Sequence, residues 1–117
     1  MNEPDLTRLV KQAMDDFAAG RRDEAEARLQ AVVAENPGQI EAWNALGVIA
    51  RLAGDPEKAI RCYRRVVAVA PEHPAGWSNM GNAYRDLNRI EAAVACQRRA
   101  LAQMPRRRDF ITIWVWR

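Results

Sequence analysis

Few side chains in this 117-residue sequence have the chemistry that catalysis or metal binding requires. His73 is the sole histidine, and it stands between Glu72 and Pro74, where a turn residue explains it better than a base or a metal ligand. Without a usable histidine, a serine or cysteine nucleophile has no base to activate it. The sequence also has no glycine-rich phosphate loop and no cluster of metal ligands. It therefore predicts a protein that is not an enzyme and that carries no cofactor or metal.

Two pairs of neighbouring carboxylates are the remaining candidates for acid/base chemistry, Asp15 with Asp16 and Asp23 with Glu24. Adjacent positions on a helix point about 100° apart, so the two members of each pair do not converge on one atom. General acid/base catalysis needs its groups within hydrogen-bond reach of the reacting atoms. A solvated helical face explains these four residues better.

Cys62 and Cys96 are the only cysteines, and they are 34 residues apart. Equivalent helices in a stack lie about 8–10 Å from each other, which exceeds the usual Cα separation of a disulfide. We therefore expect two reduced thiols. No apolar run approaches the roughly 18 residues that a membrane span needs, and residues 2–5 lack the basic start of a signal peptide. These features predict a cytoplasmic protein.

The 34-residue spacing of the cysteines recurs along most of the chain. Trp43 recurs as Trp77 and Gly47 as Gly81. Further columns in the same register are Ala25, Ala59 and Ala93, then Pro37, Pro71 and Pro105, then Gly20, Gly54 and Asn88. A fixed period of this length indicates stacked copies of one supersecondary unit, because such a unit cannot bury its apolar face alone. Since glycine and asparagine tolerate the left-handed conformation that ends many helices, Asn88 is predicted to have a positive φ.

Within each unit the apolar residues follow a helical spacing. In the second unit they are Ala59, Tyr63, Val66, Val67 and Ala70. Two antiparallel helices fit into each period, and the predicted spans are about 5–19, 22–35, 39–52, 56–69, 73–86 and 90–103. The proline column falls between units, where a fixed φ and a missing donor end one hairpin.

These residues carry a resemblance to a known family. The second unit has Trp43, Leu46, Gly47, Ala59, Tyr63 and Pro71, and the third has Trp77, Met80, Gly81, Tyr84, Ala93 and Pro105. Both series resemble the tetratricopeptide repeat pattern. The first unit is looser, with Leu9 in place of the tryptophan and Ala13 in place of the glycine. The resemblance implies an all-α, right-handed solenoid of three antiparallel helix-turn-helix repeats over residues 5–105, at about 5–38, 39–72 and 73–105.

The resemblance also implies where a partner would bind. In tetratricopeptide proteins the first helices of the hairpins line a concave groove that receives an extended peptide or a helix of another protein. Carried over by register, the groove residues are Val10, Met14, Phe17, Asn44, Val48, Arg51, Ser78, Asn82 and Arg85. The asparagines suit backbone amides and the arginines suit carboxylates. The arginines also have a simpler explanation, which is pairing with neighbours such as Asp86 or Asp55. The expected function is a protein-interaction module.

The charge is concentrated in the tail, residues 106–117, which breaks the period. Before residue 106 there are equal numbers of basic and acidic side chains, so the formal charge of +3 comes from the tail. A neutral body disfavours nucleic acid and membranes as partners. The tail residues available for contacts are Arg106, Arg107, Arg108, Phe110, Trp114 and Trp116.

Three interpretations of the tail stay open from the sequence. It is a cap over the last hairpin, a self-association segment that builds a homo-oligomer, or a basic and aromatic contact with nucleic acid or an anionic membrane. Its β-branched and aromatic residues favour an extended segment. The register, in contrast, allows a shortened first helix of a fourth repeat.

Overall fold

Six α-helices build the chain in the computed structural model, which describes residues 2–104. They are α1 (Glu3–Ala18), α2 (Arg22–Glu35), α3 (Ile40–Leu52), α4 (Pro56–Val69), α5 (Pro74–Asp86) and α6 (Ile90–Ala102). Within these residues there is no β-strand. The helical spans predicted from the sequence are confirmed to within about two residues, which is the usual uncertainty of a helix end.

Side chains just before the helices accept hydrogen bonds from the first turns. The Asp55 carboxylate accepts from the backbone amide of Lys58, and Nδ1 of His73 accepts from the amide of Gly76. A residue at this position satisfies one of the amides that the helix itself leaves without a partner. The sole histidine is therefore a helix cap at the start of α5.

Residues with positive φ end the first helix of each hairpin. Gly20 has a φ of 86° and Gly54 a φ of 84°, and Asn88 has a φ of 58° at the same place in the third hairpin. The prediction for Asn88 is confirmed. Because these turns are only a few residues long, α1 packs against α2, α3 against α4 and α5 against α6 as three hairpins.

Successive hairpins stack through α2 against α3 and through α4 against α5. The stack is elongated, with extents of 53 × 35 × 26 Å. Its interior consists of two clusters of buried side chains, one centred on the first hairpin and α3, the other between α4, α5 and α6. Tyr63, at 1% exposure, is the largest side chain that is fully buried. Burial raises the pKa of Tyr63 to about 12.

Cys62 and Cys96 are both free and buried, on α4 and α6 respectively. Burial raises the pKa of each thiol, because a thiolate is poorly solvated there. The prediction of two reduced thiols is confirmed. Within residues 2–104, no three His, Cys, Asp or Glu side chains are grouped so that they could hold a metal ion. None of the six helices is long and apolar enough to span a membrane.

Candidate functional site

The helices form two layers that differ in spacing. In one layer α1 contacts α3, and α3 contacts α5. In the other layer, α2, α4 and α6 do not contact one another within the described part of the chain. Helices that touch are closer than helices that do not, so the stack curves towards the layer of α1, α3 and α5. We call the surface of these three helices the inner face, and all nine groove residues predicted from the sequence lie on its helices.

The first hairpin contributes apolar side chains to the inner face. Val10 is only 8% exposed and belongs to the first core cluster, so it offers little surface to a partner. Met14 and Phe17 are partly buried and pack against the same cluster. The apolar end of the candidate groove therefore consists of Met14 and Phe17, and Val10 supports them from below.

The middle of the inner face is held by an amide pair between hairpins. Nδ2 of Asn79 on α5 donates to Oδ1 of Asn44 on α3 at 2.9 Å. Asn44 is thus partly engaged, although its own amide donors stay available to a ligand. Val48, one turn further along α3, is partly buried against the second core cluster. These residues join two repeats and still present surface to the inner face.

Arg51 is bound to an acidic neighbour. Its Nε lies 2.6 Å from Oδ2 of Asp86 and its Nη2 lies 3.3 Å from Oδ1 of the same carboxylate. A two-point pair of this kind fixes the orientation of the guanidinium. The hydrogen bond to Asp86 is the main cause that raises the pKa of Arg51. The alternative explanation from the sequence, pairing with Asp86, therefore holds for Arg51.

Gln97 on α6 connects two residues of the third repeat. Its Nε2 donates to the backbone carbonyl of Ser78 at 3.2 Å and lies 3.4 Å from Oδ1 of Asn82. Both side chains are partly exposed on the inner face. The Ser78 hydroxyl and the Asn82 amide nitrogen remain directed to possible ligands of this face.

Arg85 differs from its counterpart Arg51, although the two are 34 residues apart. It is exposed, and no described residue forms an ion pair with it. It also borders an open depression of about 360 Å³ between α5 and α6, whose lining includes Val94 and Leu101. Among the polar groove residues, Arg85 is therefore the cation that remains available to a partner.

The repeat tryptophans serve the scaffold and not the inner face. The indole Nε1 of Trp43 donates to the Pro37 carbonyl at 2.7 Å, and Trp77 makes the same bond to Pro71. The guanidinium of Arg65 lies 5.4 Å from the centre of the Trp43 ring. Arg99 lies 5.0 Å from the Trp77 ring in the same way. Each tryptophan thus ties its hairpin to the linker that precedes it.

Sequence reasoning missed two residues of the inner face, Asn79 and Gln97. Both stand where the second repeat has a core residue, Ala45 and Tyr63 respectively. A polar residue that replaces an apolar one in register is a signal that could have found them. The tail residues Arg106, Arg107, Arg108, Phe110, Trp114 and Trp116 lie outside the described residues.

Two layers of paired helices, stacked at a fixed period, define the chain as a helical-repeat solenoid. The tetratricopeptide repeat profile matches residues 10–60 and 53–107, which is most of the sequence. The chain belongs to the tetratricopeptide repeat family, as its sequence resemblance predicted. Domains of this family generally bind protein partners, so the fold is that of an interaction scaffold.

Solved structures share this fold. Two crystal structures of MamA match with TM-scores of 0.79 and 0.78, each at 22% sequence identity over 84% of this chain. The matched part covers 57% and 54% of those chains, so this chain spans little more than half of their length. At such low identity the likeness concerns the fold alone. No curated protein sequence matches the chain.

Proposed function

We propose that this protein is a non-catalytic interaction module that binds a peptide or helix of another protein along the inner face. The observation that carries the proposal is the difference between two equivalent arginines. Arg51 is neutralised by Asp86, whereas Arg85 is exposed and has no acidic partner among the described residues. A cation left free beside an apolar depression can bind a carboxylate of a partner while that partner buries apolar surface.

The composition of the inner face suggests the chemistry of the partner. At one end Met14 and Phe17 offer apolar contact, and at the other Asn82 and Arg85 offer hydrogen bonds and positive charge. A matching ligand has apolar side chains at one end and an acidic side chain about two repeats away.

The charge distribution supports this polarity. Residues 51–104 include nine Lys and Arg against five Asp and Glu, whereas residues 2–50 include five against nine. The neutral body is thus composed of an acidic half and a basic half. A basic half attracts acidic ligands and raises their rate of association. An acidic segment of the partner is therefore expected to lie over the third repeat.

Selection from a library of random peptides displayed on phage tests the proposal without a known partner. The selected peptides are expected to be enriched in acidic and apolar residues. Arg85→Ala is expected to lower the affinity for a selected peptide by roughly tenfold or more, since a hydrogen bond to a charged group contributes about 1.5–3 kcal/mol. Isothermal titration calorimetry measures this change.

Arg61→Ala is the matched control, because Arg61 is also exposed and has no ion pair in the described structure but lies on α4, in the outer layer. It should leave the affinity unchanged. Equal losses for Arg85→Ala and Arg61→Ala would show a general electrostatic attraction and contradict a defined groove. Peptides without acidic residues would also contradict the assigned role of Arg85.

A further inference from the structure

The last hairpin leaves an apolar surface uncovered among the described residues. Val94 is 42% exposed and Leu101 is 65% exposed, and both line the depression of about 360 Å³ together with Ile90. We call the surface formed by Ile90, Val94 and Leu101 on α6 and by Gly81 on α5 the end face. Exposed large apolar side chains grouped in this way mark a surface that binds something.

The equivalent surface one repeat earlier is covered by the next helix of the chain. Ile60 is the counterpart of Val94 and is only 5% exposed. It belongs to the same buried cluster as Met80 on α5. A Cβ added at Gly76, also on α5, would lie 2.8 Å from Cγ1 of Val66. The second helix of each hairpin thus packs under the first helix of the following one, which the end face lacks among the described residues.

A second copy of the protein does not match the end face. Stacked head to tail, the copy would present α1, where Arg8 and Gln12 stand in register with Gly76 and Met80. Both are exposed polar residues where a small or apolar residue is needed. Paired face to face, two copies would bring Arg98 beside the same arginine of the other copy, since Arg98 lines the depression. Like charges in such a contact are repulsive.

The tail of the same chain does match, by the 34-residue register. Trp114 stands at the place of Met80, so it would cover Val94 as Met80 covers Ile60. The contact between Val66 and Gly76 becomes one between Ala100 and Phe110. There the large residue and the small residue are exchanged, so the summed volume is similar. Such an exchange is what close packing requires of two residues in contact.

We propose that residues 108–117 form a short seventh helix that covers the end face of their own chain. Trp114 packs on Val94, and Phe110 packs on Ala100. Trp116 stands at the place of Asn82 and therefore faces the inner layer, where it extends the groove by one aromatic side chain. This last consequence rests on the proposed function, whereas the covering of the end face does not.

Two tryptophan substitutions in the full chain test the helical register. Trp114→Ala is expected to lower the midpoint temperature of unfolding (Tm) by roughly 10 °C, because a buried aromatic side chain is lost. Trp116→Ala is the matched control and should change the Tm by no more than about 2 °C, since it removes an equally large side chain from the inner face. Circular dichroism measures both transitions.

Positions 114 and 116 lie on one side of an extended segment but on different sides of a helix. Equal losses of Tm in the two variants would therefore overturn the seventh helix in favour of an extended tail. Unchanged Tm in both variants would show that the tail does not cover the end face.

A disulfide cross-link tests which chain supplies the tail and needs no partner ligand. A Cβ added at Gly76 would lie 3.4 Å from Cβ of Val66, close to the roughly 3.5–4.5 Å of a disulfide. In a Cys62→Ala and Cys96→Ala background, Ala100→Cys with Phe110→Cys is expected to oxidise to a disulfide within one chain. Ala100→Cys with Thr112→Cys, the control, should not form this bond.

Non-reducing electrophoresis and mass spectrometry distinguish the outcomes of the cross-link. A bond within the monomer supports the proposal. Covalent dimers would overturn it and assign the end face to the tail of a second copy. The absence of any bond in the Ala100 and Phe110 pair would also overturn it. Neither result bears on Arg85 and peptide affinity, so this proposal and the proposed function can fail separately.

Discussion

Arg51 and Arg85 show how two equivalent residues acquire different roles. The sequence predicts correctly that both lie on one stripe, because positions 34 residues apart in a repeat protein are equivalent. It leaves open which arginine is paired. The bond between Arg51 and Asp86 joins residues of neighbouring hairpins, and its length of 2.6 Å depends on the angle between them. Pairing across repeats is therefore a property that only the folded geometry determines.

The tryptophan column is an opposite case, in which the sequence marks the residue and the structure gives the reason. Trp43 and Trp77 each donate to the carbonyl of the preceding proline. The proline column and the tryptophan column are thus two parts of one contact. Because both columns appear in the sequence at the same period, this part of the architecture was predictable.

Replacing Trp77 by phenylalanine tests that contact. Trp77→Phe keeps an aromatic ring against Arg99 but removes the donor to Pro71, and we expect a loss of about 0.5–1 kcal/mol in the free energy of unfolding. Urea unfolding measures it. Trp43→Phe should cause a similar loss, since its bond to Pro37 has the same length. Unchanged stability in both variants would show that the indole bonds contribute little.

At the scale of the helices, the glycine column sets how closely each hairpin packs. A Cβ at Gly47 would lie 2.4 Å from Cε1 of Tyr63, which is fully buried. A Cβ at Gly81 would meet Nε2 of Gln97 at 2.7 Å instead, at the end of a flexible side chain. The two repeats therefore tolerate a larger residue to different degrees, although their glycines are equivalent.

Glycine-to-alanine substitutions compare the two hairpins directly. Gly47→Ala is expected to reduce the free energy of unfolding by about 1–2 kcal/mol, because overpacking exceeds the gain in helix propensity. Gly81→Ala should be nearly neutral, since Gln97 can move aside. Thermal or urea unfolding of both variants checks the order. A larger loss for Gly81→Ala would contradict the rigid packing of Tyr63.

Helix ends were predictable where local chemistry determines them. The positive φ of Asn88 follows from its register with Gly20 and Gly54. In contrast, the role of His73 as a cap of α5 was not predicted beyond its place in a turn. Capping depends on the rotamer of one side chain, which the repeat pattern does not specify.

At the scale of the molecule, the period predicts the solenoid and its three hairpins, because stacking follows from the apolar faces of identical units. The curvature towards α1, α3 and α5 comes from helix spacing in the structure. Val10, a groove candidate by register, lies in the core for this reason. The first repeat is where register and exposure differ most.

The central claim is that partners bind to the inner face. Nuclear magnetic resonance of the ¹⁵N-labelled full chain, titrated with a peptide selected on phage, tests it most directly. We expect the largest amide shift changes on α3 and α5, around Asn44, Asn82 and Arg85, and small changes on the outer layer. Shift changes concentrated around Arg61 and Arg64 on α4 would contradict the claim.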